Sequence, residues 1–189
     1  MMRAAITATL LLGVALTLSA CADDDGIEGD NTIPRNDYCG DVGDWDPEWE
    51  AFELEVLSIA NQRRSEGANC GSNGDFDPAP ALAVHGALTC AARVHAMDMA
   101  VNGYFDHSSQ DGTSPWERME AAGYNWSNAG ENIARGQRDP AAVMDAWMSS
   151  DGHCSNIMNP NLQELGVGFH GDGNFWVQNF GTRPDAQPE

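Results

Sequence analysis

A chain of 189 residues, 42% of them hydrophobic, is long enough for one domain with a proper core and too apolar to be disordered throughout. Its 29 acidic residues against 9 basic ones leave a formal net charge of −20, which repels polyanions, so no nucleic-acid partner is expected. The same charge works against adsorption to anionic lipid, and its plain reading is a solvated acidic surface.

Arg3 is followed by an apolar run over residues 4–18. It is short for a bilayer span and suits the hydrophobic region of a secretory signal. The run ends Leu18-Ser19-Ala20-Cys21, which resembles the bacterial lipobox, where the chain is cut before a cysteine that receives lipid. Residues 1–20 are therefore expected to be a lipoprotein signal peptide, with Cys21 as the lipidated anchor to the membrane. Ala22 after that cysteine, rather than Asp, favours outer-membrane over inner-membrane sorting. Residues 21–37 are acidic and poor in apolar side chains, so they are expected to form a flexible tether reaching on the order of 50 Å. The folded domain is expected over residues 38–183 and a loose tail over 184–189.

Within the domain, Asp46-Pro47 opens a helix with Phe52, Val56 and Ile59 on one stripe, and Gly67 ends it. Its last turns carry Asn61-Gln62-Arg63-Arg64, where basic groups suit the helix dipole. Residues 68–80, rich in Gly, Asn, Asp and Pro, read as a loop. A second helix is predicted over residues 81–102, with Cys90, Val94, Met97 and Val101 on one face. His85 and His95 fall in it without an assigned role, and His107 lies on the loop beyond it. Ser114-Pro115-Trp116-Glu117 has the form of a capping box, which gives Glu117 a local explanation. Gly130-Glu131-Asn132-Ile133-Ala134 reads as a connecting segment. Asp139-Pro140 starts a helix that breaks at residues 149–152, leaving His153 and Cys154 on a loop. Residues 165–169 and 175–180 then change to a strand period and read as a hairpin.

Apart from Cys21, the cysteines are Cys39, Cys70, Cys90 and Cys154, and an even number in an exported chain implies two disulfides. Three pairings are open. The one expected is Cys39 with Cys70, clipping the start of the domain to the loop after the first helix, and Cys90 with Cys154, tying the central helix to the His153 loop.

Five stretches in order, Asn61-Gln62-Arg63-Arg64, Phe105-Asp106-His107-Ser108, Gly130-Glu131-Asn132-Ile133-Ala134, Gly152-His153-Cys154-Ser155-Asn156-Ile157-Met158 and Trp176-Val177-Gln178-Asn179-Phe180-Gly181, resemble the CAP superfamily. This is the superfamily of cysteine-rich secretory, antigen 5 and pathogenesis-related class 1 proteins, also called the SCP domain. The resemblance implies an α/β fold, a three-layer α-β-α sandwich with a central antiparallel sheet. It also implies a cleft lined by His107, Glu131, His153 and Glu117. Neutral imidazoles are good Zn²⁺ donors and carboxylates can complete the shell or orient the rings, so a divalent metal is the implied cofactor, Zn rather than Ca. After His153 the chain follows the bacterial pattern, Cys-Ser-Asn-Ile-Met-Asn-Pro, and sterol binding or channel regulation by eukaryotic relatives transfers poorly.

The expected function is a monomeric, envelope-anchored module whose cleft binds a metal or small ligand without catalysis. A hydrolase using metal-activated water, or Ser108 with a histidine base, is the alternative. Neither Gly-x-Ser-x-Gly nor His-Glu-x-x-His occurs to support it. A third reading is a structural module that contacts an envelope protein.

Overall fold

The computed structural model describes residues 28–184. The expected signal peptide, the lipidated Cys21 and all of the tail except Pro184 lie outside the described residues. Helix α1 (Pro47–Glu66) opens where Asp46 accepts the amide of Glu48 at 2.8 Å and stops at Gly67, whose φ is +73°. Arg64 does not point to solvent at the helix end. It is fully buried and donates to the carbonyls of Pro80, Ile157, Asn159 and Leu162, tying three later segments to α1. The expected loop at 68–80 contains two short paired strands, β2 (Ala68–Asn69) and β3 (Asp75–Phe76).

Two boundaries differ from the sequence reading. Helix α2 spans Gly86–Asn102, because residues before it form strand β4 (Ala83–His85), and the His85 ring caps the helix by accepting the amide of Ala87 at 3.2 Å. The end of the expected tether is ordered as strand β1 (Gly29–Asp30), which pairs in parallel with β4. Gly29, at φ +117°, lies so close to β4 that a Cβ would stand 2.2 Å from the carbonyl oxygen of Val84. Only a glycine permits so close a contact.

The remaining elements are α3 (Pro115–Ala122), β5 (Asn128–Arg135), α4 (Pro140–Met148), α5 (Asp151–Met158), β6 (Glu164–His170) and β7 (Phe175–Thr182). The main sheet has the order β1-β4-β6-β7-β5. Its three long strands, β5, β7 and β6, are antiparallel, while β1 and β4 add a short parallel edge, so the sheet is mixed. Alternation along β6 makes the layers. Leu165, Val167 and Phe169 pack with residues of α1, α4 and α5, including Val56, Met144 and Ile157. Gly166 and Gly168 face α2 on the other side, where a Cβ would stand 2.0 Å from the amide of Thr89 and 2.3 Å from the carbonyl carbon of Ala92. These glycines let the helix sit against the strand backbone, and the result is the α-β-α sandwich.

The two disulfides correct the expected pairing. They join Cys39 to Cys90 and Cys70 to Cys154. The reason is the layering. Cys39 and Cys90 pack together in the cluster around α2 and α3, whereas Cys70 and Cys154 lie in the core between α1, α5 and the sheet. The expected pairs would have had to cross the sheet.

Candidate functional site

Strand β5 is an outer strand of the main sheet, and its alternation divides the site residues between two layers. Ile133 packs against Ala92 and Val177 on the α2 side, and Glu131, two residues earlier, points the same way. Asn132 points to the α5 side, donating to Gln178 Oε1 at 3.0 Å and to the carbonyl of His153 at 3.2 Å. The segment that read as a connection is therefore the strand that carries the site.

The Glu131 side chain is 1% exposed, and its carboxylate is fully engaged. Oε1 lies 2.7 Å from Nδ1 of His107 and Oε2 accepts from Arg118 at 2.8 Å. With its amide oriented to satisfy both neighbours, Asn179 adds a donor to Oε2 at 3.2 Å. Burying a carboxylate is costly unless it is paired and hydrogen-bonded, and here it is both.

Arg118 is 2% exposed and organises the loop that carries His107. Besides Glu131 it donates to Ser109 Oγ at 3.2 Å, the carbonyl of Thr113 at 3.0 Å and the carbonyl of His107 at 2.8 Å. His95, fully buried, lies with Nε2 2.9 Å from the carbonyl of Asp106, and burial pushes its pKa down to about 4. It is thus a neutral ring donating to the backbone beside His107. Neither role was assigned from sequence, because both depend on contacts across the fold.

Glu117 stands apart from this cluster. Its carboxylate accepts from Ser114 twice, at 2.8 Å from the amide and 2.7 Å from the hydroxyl, completing the capping box of α3. The next residue along the helix, Arg118, is the one that reaches Glu131.

His153 corrects the loop reading. It sits in the first turn of α5, since a new helix begins at Asp151 directly after α4. Helix α5 is fixed by the Cys70–Cys154 disulfide and by Asp151, whose carboxylate accepts from Ser72 at 2.9 and 2.5 Å. Asn156 donates to the carbonyl of Glu131 at 3.3 Å and to Asn132 Oδ1 at 2.9 Å, binding α5 to β5. His153 and His107 thus approach β5 from opposite layers.

The two imidazoles shift in opposite directions. The hydrogen bond to Glu131 raises the pKa of His107, against an opposing effect of burial. Burial lowers that of His153, and the charge of His107 lowers it further, which places the rings within electrostatic reach of each other. Among the described residues, no group of three or more His, Cys, Asp or Glu side chains is placed to hold a metal ion. Ser108 gives its amide to Asp106 Oδ1 at 2.8 Å.

Comparison with known proteins agrees with this architecture. The profile of the cysteine-rich secretory protein family, CAP, matches residues 60–180. The uncharacterized protein YkwD of Bacillus subtilis (strain 168) is 37% identical over 131 residues, 69% of this chain and 47% of YkwD. An extracellular protein containing an SCP domain from Bacillus anthracis is similar in structure, with a TM-score of 0.63 at 28% identity over 75% of this chain and 45% of that one. An outer surface protein from Borrelia burgdorferi shares the fold, with a TM-score of 0.55 at 21% identity over 68% of this chain and 93% of its own. The chain spans about half the length of the two Bacillus proteins. With two disulfides and extracellular relatives, it is an exported protein of that type.

Proposed function

The chain belongs to the cysteine-rich secretory protein family, and from that premise we propose a binding module, anchored to the envelope through lipid on Cys21, whose His107 and His153 bind a divalent metal ion without turnover. One observation carries the reading. Glu131 takes the Nδ1 side of His107 at 2.7 Å, which leaves Nε2 of that ring as the free nitrogen. A carboxylate behind an imidazole fixes its tautomer and raises its basicity, the usual arrangement behind a metal-binding histidine. Glu131 acts from behind the ring and is not itself a donor to the metal, because Arg118 occupies its other oxygen. Two imidazoles suit Zn²⁺ better than Ca²⁺, and the open positions would be filled by water or by a small ligand.

Calorimetric titration of Zn²⁺ into the full chain, beside a folded His107→Ala/His153→Ala variant, tests this. One equivalent is expected to bind the parent and none the variant. Affinity should fall as pH drops through the raised pKa of His107, because the proton and the metal compete for the ring. Equal binding to both proteins, or to neither, would remove the metal from the reading.

A further inference from the structure

Cations are scarce in this chain, 9 against 29 acidic residues, and most of those in the domain are spent inside the fold. Arg63, Arg93, Arg118 and Arg183 pair with carboxylates, and carbonyls take up Arg64. Arg135 is not spent in this way. It ends β5 on the face that carries Glu131 and Ile133, and it is exposed. Its guanidinium stacks on the ring of Phe175, its cross-strand partner, 4.6 Å from the centroid. Among the described residues, no ion pair or side-chain hydrogen bond engages the edge of that guanidinium. Asp139, four residues on, gives its carboxylate to the Ala142 amide. Phe105 packs on the same Phe175 ring, with 6.5 Å between centroids, and it remains 45% exposed. The neighbouring Asp106 is turned to the Ser108 amide. Phe175, 2% exposed, is thus covered by a free-edged cation and by an aromatic ring that faces water.

Stacking holds the guanidinium plane while leaving its N–H edge open, so little side-chain freedom is lost when an anion docks there. The planar fork matches a carboxylate through two parallel hydrogen bonds. A phosphate dianion would match it too, but its second charge meets more repulsion from a chain of net charge −20. The ligand complementary to both Arg135 and Phe105 carries one carboxylate beside an apolar side chain, which is the chemistry of the last residue of a peptide. We propose that Arg135 and Phe105 bind the carboxyl-terminal residue of a peptide that ends in an apolar amino acid. Its carboxylate pairs with the edge of Arg135, and its side chain rests on Phe105. Four residues of strand, about 13 Å, separate Arg135 from Glu131, so this site lies beside the proposed metal site and does not depend on it.

The test uses no metal. Isotope-labelled full chain in uncharged-detergent micelles is titrated with acetyl-Ala-Ala-Phe, with the carboxyl-terminal amide of the same tripeptide, and with hexanoate, while amide shifts are followed by NMR. Saturable shifts are expected at residues 104–106, 133–136 and 174–176, with the acid binding about tenfold more tightly than the amide. Hexanoate, an apolar acid without a peptide, should bind more weakly than the tripeptide acid. Arg135→Gln should bring the acid down to the affinity of the amide, and Phe105→Ser should weaken acid and amide alike. Both side chains are exposed, and the unchanged remainder of the spectrum shows that each variant is folded. Equal affinity of the parent for acid and amide, hexanoate binding as tightly as the tripeptide acid, a preference that survives Arg135→Gln, no saturable shift, or shifts confined to the surroundings of His107 and His153 would each overturn the proposal.

Discussion

His153 and His107 are held by different means. His153 rides on α5, which is pinned by a disulfide to residue 70 and by Asp151 to the same short turn. His107 rides on a loop whose order comes from side chains, chiefly three hydrogen bonds from Arg118 and one from His95, while a fourth from Arg118 holds Glu131 behind the ring. One arm is covalent and local to the α1 and α5 layer. The other is electrostatic and reaches from α3 across to β5. The proposed metal site needs both, because a displacement of either arm separates the imidazoles.

The covalent arm should show the larger effect on stability. The Cys70–Cys154 bridge closes 84 residues, and in the chain-entropy account Cys70→Ser/Cys154→Ser should cost about 4 kcal/mol. Thermal unfolding should register that as a fall in Tm of about 10 °C. A fall no larger than that of a surface substitution would mean that the hydrogen bonds of Asp151 and Asn156 hold α5 unaided.

For the other arm, Arg118→Met leaves Glu131 buried without its guanidinium and should cost about 3 kcal/mol. It also carries a second readout. Arg118 holds the pKa of His107 down through its charge, so its removal should raise that pKa further. Histidine titration by NMR checks the sign, with Glu131→Gln as the opposing control that brings His107 back toward the ordinary value near 6.5. A His107 pKa that falls in Arg118→Met would show that the ring had lost Glu131 as well, and that Arg118 only props the loop.

The difference between the arms also decides what was legible in the sequence. Local chemistry was readable. Asp46-Pro47 and Ser114 with Glu117 marked helix starts, Gly67 marked a helix end, and residues 165–169 and 175–180 marked the hairpin. Ordered motifs carried the family, and the resemblance singled out His107, Glu131 and His153 as candidates. What escaped depends on which side of the sheet a residue faces. The disulfide pairing was missed because sequence separation says nothing about layers. Strand β5 was missed because its Gly, Glu and Asn residues suit a loop, and only pairing with β7 makes them a strand. Arg118 was overlooked because a basic residue one place after a capping glutamate carries no signal until the fold brings Glu131 to it.

Glu117 gives the smallest and most discriminating test. The family resemblance puts it in the cleft, and the structure spends its carboxylate on Ser114. Glu117→Ala should lower Tm by about 2 °C through the weakened cap and leave Zn²⁺ affinity and both histidine pKa values unchanged. Glu117→Gln, which keeps the reach of the side chain, should recover part of the Tm. If zinc binding disappeared in Glu117→Ala while the fold and Tm were retained, the carboxylate would have to leave its cap and turn to the metal. The cleft would then be a four-residue site that forms only on binding, and Arg118 would have to release Glu131 to complete it.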